Sequence, residues 1–273
     1  MFSIISSRNV NEKAFHYLIE SSKSLLKQSD YNKENRQKDG WGISYFENKK
    51  TKIYKSSNPI YKENSKIDLS RIKSNILLAH IRKASNPKVL PFEELIGVKH
   101  SQPFANDQFT YTHNGTLYIV DEIKENLGKY KKNIKGLNDS EVLFWELIKL
   151  IDSYGDIYTA FKMMIDEINT IWVSVKDEYK KKGISQPFKG LNIILSDYKN
   201  IYSLCLYNLD KKLNSIMTRN WPWQNMALKT ENDYAVLASE PLDDGNWENI
   251  AENNFIHLYL ENHKIKYSFK KLL

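Results

Sequence analysis

The chain has 273 residues, 41% of them hydrophobic and 27% charged, with 40 Lys+Arg against 33 Asp+Glu and a formal net charge of +7. This composition is that of a folded chain with a sizeable core, and it excludes a disordered one. No stretch approaches the ~20 consecutive apolar residues of a membrane-spanning helix, and one cysteine, Cys205, excludes an internal disulfide and points to a reducing, cytoplasmic setting.

The opening residues, MFSIISSRNVNEK, turn polar too soon for a signal peptide. Lysines are plentiful, but both signs of charge are interspersed. No strand or helix carries a stripe of Arg and aromatics, so nucleic acid is not an expected partner. Six histidines without paired cysteines or a His-x-x-x-His spacing give no metal site, and no cofactor is expected.

In chain order, Phe2 to Ser6 is a short apolar run that fits a buried strand. Asn11 to about Gln28 carries Phe15, Leu18, Ile19, Leu25 and Leu26 at three- and four-residue spacing, which predicts one amphipathic helix. Asp39-Gly40-Trp41-Gly42 leads into two strands, ISYF and KIYK, joined by a polar turn. Glycines on both sides of Trp41 indicate a backbone that bends or is closely approached. Ile76 to Ala79 runs straight into His80-Ile81-Arg82, a strand buried on both faces. Alternation puts Leu78, His80 and Arg82 on one face, and a buried arginine needs an anionic partner, structural or bound.

Phe109 to Thr112 alternates apolar residues and threonines, a half-buried strand, and runs into Asn114-Gly115. Two readings of that dipeptide stay open. It is a tight hairpin turn, because both residues tolerate positive φ, or the Asn114 amide and Gly115 N–H converge to stabilise a negative oxygen. Residues 121 to 137 are Lys-rich and read as exposed. Asn138-Asp139-Ser140 starts a helix with Asp139 at the N-cap place, and a second helix spans about Ile157 to Val175. The last third is β-rich, with strands predicted over 191–197, 200–208, 233–240, 253–261 and 264–269. Cys205 falls inside one of them, as a packed thiol. Strand runs separated by helices without strict alternation predict an α+β arrangement of largely antiparallel sheets with helices outside, in one domain over 1–273.

Six motifs, in this order, resemble those of class II glutamine amidotransferase domains of the N-terminal nucleophile hydrolase superfamily. They are Asp39-Gly40-Trp41-Gly42, His80-Ile81-Arg82 with Ala84-Ser85, Gln102-Pro103-Phe104 leading to His113-Asn114-Gly115-Thr116-Leu117, Asp139-Ser140-Glu141, Leu195-Ser196-Asp197, and Ala238-Ser239-Glu240-Pro241. The resemblance covers almost the whole chain. It implies a four-layer αββα sandwich with a pocket for glutamine. Arg82 would hold the α-carboxylate, Asp139 the α-ammonium group, and Asn114 and Gly115 the oxyanion. His80 and Ser85 would support the site, and Trp41 and Gly42 would line it.

The family's reaction uses an N-terminal cysteine that attacks the amide, with its own α-amine as base. Here the second residue, at the nucleophile position, is Phe2, which has no polar atom. Ser3 faces the opposite side of the strand, and Ser6 lies roughly 13 Å along it at ~3.3 Å per residue. The expectation is a domain that holds glutamine or a related amide with the hydrolytic chemistry lost. An ammonia acceptor, or a partner subunit supplying one, is expected outside this chain. The alternatives are an active amidohydrolase using another nucleophile and a non-catalytic binding module using its basic surface.

Overall fold

The first strand decides the layering. In this computed structural model, which describes residues 1–86, 89–208 and 215–272, β1 (Phe2–Ser6) is buried along its whole length. Phe2 and Ile4 point to one apolar cluster and Met1 and Ile5 to another, as the two-residue period of a strand requires. β1 sits at the centre of a seven-stranded sheet. Its antiparallel neighbours are β4 (Ile76–Ile81) and β10 (Tyr234–Ala238). β2 (Trp41–Glu47) and β3 (Lys50–Ser56) continue one side, and β9 (Met226–Thr230) and β11 (Glu248–Ile250) the other.

A six-stranded antiparallel sheet packs on it, in the order β13 (Lys264–Lys271), β12 (Asn254–Glu261), β8 (Asn200–Cys205), β7 (Phe188–Ser196), β6 (Thr110–Leu117), β5 (Phe104–Ala105). Met1, Ile5, Leu78, Ile194, Cys205 and Ile256 fill the layer between the sheets. Helices cover both outer faces. α1 (Asn11–Phe15) and α2 (Leu25–Asp30) lie over Phe2, Ile4 and Leu77. α3 (Val120–Glu125), α4 (Asp139–Tyr154) and α5 (Ile157–Lys181) lie over Tyr111, Ile193 and Leu195. The result is the expected four-layer αββα sandwich of two antiparallel sheets.

Four local expectations change. Asn114-Gly115 is not a hairpin turn. β6 runs through it, paired with β7 as Asn114↔Asn192, Gly115↔Leu191 and Thr116↔Gly190. Ladder bonds to a neighbouring strand override a local turn preference. The single helix over 11–28 is broken: α1 passes into a π-helical turn, His16–Glu20, and α2 starts after Ser24. The serines there bond to backbone instead, Ser21 Oγ to Leu242 O at 2.7 Å and Ser24 Oγ to Ile19 O at 3.0 Å, and such bonds compete with the helical ladder. Residues 121 to 137 are not simply exposed, because α3 and the turn after it bury Ile123 and Leu127 beside Val120. At the start of α4 the cap is Asn138, whose side chain accepts from Ser140 N at 2.9 Å, and Asp139 is the first helical residue. With Asn138 as the cap, the Asp139 carboxylate also reaches β6, accepting from Leu117 N at 2.8 Å.

Candidate active site

The inter-sheet layer opens at one end into a cavity of about 340 Å³. This lies at the small end of the ~300–1,000 Å³ typical of ligand pockets. Its walls come from the end of β4, from β6 and β7, and from the start of α4.

Arg82 follows directly on β4 and is buried. Its backbone is tied to the segment before β2: Arg82 N donates to Gly40 O at 2.9 Å, and Asp39 N donates to Arg82 O at 3.0 Å. The Asp39 carboxylate accepts from Ala84 N at 2.7 Å, fixing the chain on the far side of Arg82. The guanidinium uses Nη1 to donate to Leu95 O at 2.9 Å and Asp39 O at 3.4 Å. Among the described residues it has no ion-pair partner, and Arg82 lines the cavity. Burial lowers its pKa, with Asp39 and Asp139 opposing, but a guanidinium stays charged regardless. A buried cation without an ion-pair partner on a cavity wall is the complement of a carboxylate.

Asp139 stands on the same cavity. One oxygen accepts from Leu117 N at 2.8 Å and the other from Ser140 N at 2.9 Å. A carboxylate has about four acceptor positions, so capacity for a ligand cation remains.

Asn114 lines the same cavity. Its Oδ1 is 3.1 Å from His80 Nε2. Burial pushes the His80 pKa well below its ordinary value, with the chain's amino group adding to the shift, so the ring is neutral. A neutral ring has one N–H, and the bond to Oδ1 places it on Nε2. With Oδ1 engaged, the Asn114 side chain is left with its NH₂ as the group to offer the cavity, which is the polarity an oxyanion needs. Gly115 is next to it because nothing larger fits: a Cβ would lie 1.8 Å from Gly190 O.

A buried polar layer holds this pair in place. Gln102 clamps the His113 backbone, accepting from His113 N at 2.7 Å and donating to His113 O at 3.0 Å. The His113 ring spans from Ser140 Oγ at 2.9 Å to Gly190 O at 3.0 Å. Sequence reasoning placed Gln102 and Ser140 in motifs but gave them no role. It missed Asn138, Gly190 and Asn192 as neighbours of the site, since only the β6–β7 pairing brings the last two there.

The remaining expected residues divide. Ser85 is exposed at the rim, its Oγ 3.3 Å from Thr116 Oγ1. Trp41 and Gly42 are not on the cavity wall. The indole faces the outer core, where its Nε1 donates to Glu63 Oε2 at 3.0 Å. Gly42 instead permits a close backbone approach, since a Cβ there would meet Gln102 O at 2.6 Å. Phe2 also points away, into the outer core against Tyr17, with ring centroids 6.4 Å apart.

The residue of β1's neighbourhood that reaches the cavity is Met1, whose nitrogen donates to Ser239 Oγ at 3.1 Å beside buried Glu240. Burial lowers the pKa of that amino group to about 5 and raises that of the Glu240 carboxyl. Ser3 pairs with Leu78 and Leu237 on the inter-sheet side. Cys205 is buried in the inter-sheet core, donating to Ile250 O at 3.3 Å, and burial pushes its thiol up to about 12. Among the described residues no cluster of His, Cys, Asp and Glu could hold a metal ion, and no helix is long and apolar enough to cross a membrane.

Comparison with known proteins gives three findings. Residues 24–259 match the family described as class-II glutamine amidotransferases. YafJ of Escherichia coli K12, whose name carries a provisional assignment as a glutamine amidotransferase, is 30% identical over 185 residues, covering 63% of this chain and 62% of YafJ. An uncharacterized protein of Methanocaldococcus jannaschii is 24% identical over 255 residues, with 85% of this chain and 64% of that protein covered. The chain therefore spans less than two thirds of either relative. Among solved structures, a class-II domain protein of Silicibacter pomeroyi described as a glutamine aminotransferase has a TM-score of 0.63 at 13% identity, covering 99% of this chain and 98% of that one. The glutamine phosphoribosylpyrophosphate amidotransferase of Bacillus subtilis has the same TM-score, 0.63, at 15% identity, with 100% of this chain against 49% of that one. Both share its fold.

Proposed function

The chain belongs to the class-II glutamine amidotransferase family, and from that premise we propose that its cavity holds glutamine, or a related amide, without hydrolysing it. Arg82 receives the α-carboxylate, Asp139 the α-ammonium group, and Asn114 with Gly115 the carboxamide oxygen. His80 acts through Asn114, fixing which end of its amide faces the ligand. Ser85 closes the rim.

The observation that carries this reading is the contrast within one cavity. The groups that complement a zwitterionic amide are present and oriented by neighbours, while no thiol of this chain stands among the residues lining it. The residue that enters from the first strand's side is Met1, whose thioether is a weak acceptor and no nucleophile for acyl transfer. Cys205, buried in the inter-sheet core with its thiol pushed up to about 12, is held protonated at neutral pH.

Calorimetric titration of free glutamine into the wild type and into Arg82→Ala tests the assignment. Binding in the wild type with a loss of at least tenfold in the variant supports it. Equal binding in both removes Arg82 from this role. A coupled assay on the same wild-type sample reads ammonia, and release stays at background.

A further inference from the structure

The cavity does not end at the carboxamide position. Past Asn114 and Gly115 it continues across the inner sheet, over β7 and on to the segment after β8. Thr116 pairs with Gly190, and Gly190 in turn bridges to Tyr207. Neighbouring strands lie ~4.8 Å apart, so Tyr207 is about 10 Å from the strand that carries Asn114. A primary carboxamide held at Asn114 has only an NH₂ to project in that direction, and it falls well short of Tyr207.

This far part is walled by Lys189, Asn192, Tyr207, Trp223 and Gln224. None of them belongs to the set that complements the amino acid. Asn192 is committed to the fold, donating to Gln224 O at 2.6 Å and accepting from Leu206 N at 3.2 Å. The other residues have unused capacity. Trp223 leaves 39% of its surface exposed. Lys189 Nζ lies over one side of that ring, 5.9 Å from its centroid, and has no ion-pair partner among the described residues. Among the described residues Gln224 Oε1 is buried with no hydrogen-bond partner, whereas buried acceptors are normally satisfied. A half-exposed aromatic ring with an unpaired cation over one side, and an unpaired acceptor, at one end of one cavity suit a planar group that carries negative charge and an N–H.

We propose that this far part is a second subsite, and that the ligand is an N-substituted γ-glutamyl amide whose amide nitrogen bears a planar, anionic substituent. The substituent packs against the exposed part of Trp223, and its anion draws Lys189 off the ring into an ion pair. This rests on the reading above that the near part holds the γ-glutamyl group.

Calorimetry on the intact chain with three probes tests it: glutamine, γ-glutamyl-para-nitroanilide, and the analogue carrying an added ring carboxylate. The expected order of affinity is carboxylated anilide, plain anilide, glutamine, spanning roughly tenfold or more, as stacking and a charge-assisted contact together imply. Trp223→Ala weakens both anilides and leaves glutamine unchanged, and Trp223→Phe restores them. Lys189→Gln removes only the difference between the two anilides. The subsite is overturned if glutamine binds in an Arg82-dependent way but neither anilide binds more tightly. It is also overturned if the free carboxylated aniline binds beside glutamine as tightly as the conjugate does. Failure of the underlying reading looks different: no probe binds, or all three bind Arg82→Ala as well as the wild type.

Discussion

The cavity has two walls built on different principles. On the side of β4, β6 and α4, nearly every polar side chain is oriented by another: His80 by Asn114, His113 by Ser140 and Gly190, the His113 backbone by Gln102, Asp139 by Leu117 N. On the side of β1 the chain contributes Met1, with Phe2 turned into the outer core. Recognition depends on many mutually supporting groups, so it survives only as a unit. Nucleophilic attack depends on one atom at one position, so it can vanish while the rest stays. On the function proposed here, the two walls carry these properties separately.

The largest expected effect sharpens the contrast from the β1 side. Phe2 is fully buried against Tyr17. Phe2→Ala should cost about 3–5 kcal/mol of stability, as large-to-small core substitutions do. Denaturant unfolding reads the loss, and glutamine affinity in the folded fraction should not change. A large affinity change with little loss of stability would place Phe2 in the site and break the comparison.

Next comes the recognition wall. Arg82→Lys keeps the charge and loses the planar fork. About 1.5–3 kcal/mol for a hydrogen bond to a charged group corresponds to roughly tenfold to a hundredfold in Kd. Calorimetry should show weakening for Lys nearly as large as for Ala, because a point charge does not replace bidentate geometry. Gly115→Ala should follow. Its Cβ would meet a backbone carbonyl, which cannot rotate away, so β6 and β7 must part. A loss of about 1–3 kcal/mol is expected for such overpacking, together with weaker glutamine binding, read by thermal unfolding with and without ligand.

The smallest effect concerns α4, which supplies Asp139. Glu146 on α4 is fully buried, with Lys149 Nζ 2.9 Å from it and 2.8 Å from Glu167 of α5. Burial, with Glu167 nearby, pushes the Glu146 carboxyl up from 4.5 to about 8. It is therefore protonated in the fold and ionised in the unfolded chain over that window. Its contribution to stability is complete below about pH 4.5 and is lost as pH rises through about 8. Between neutral pH and pH values above that point, the melting temperature should fall less in Glu146→Gln than in the wild type. Identical pH profiles would show that Glu146 does not titrate in this range.

The residues of the wall proposed for recognition could be picked out in the sequence, because they are marked by residue type. A buried arginine after an apolar strand, an Asn-Gly pair and an Asp at a helix start each have few structural uses. The layering was legible too, from strand runs interrupted by helices. What the sequence did not carry was orientation decided by distant partners. Trp41 could face either side of β2, and Glu63 in a connecting segment holds it outward. Asn114-Gly115 has the local chemistry of a turn, yet its pairing with β7 keeps it extended. Asp139 was one residue from its true place because Asn138 competes for the same cap. The proposed far subsite was invisible, since Lys189, Tyr207 and Trp223 are spread over 35 positions of sequence and are brought together by the Gly190–Tyr207 bridge and the Asn192–Gln224 bond.

The most direct test is ammonia release from the wild-type protein at a glutamine concentration shown to raise its melting temperature. The account predicts a clear thermal shift with release at the no-enzyme background. Turnover of roughly one per second or more, in the ordinary range of enzymes, would contradict it.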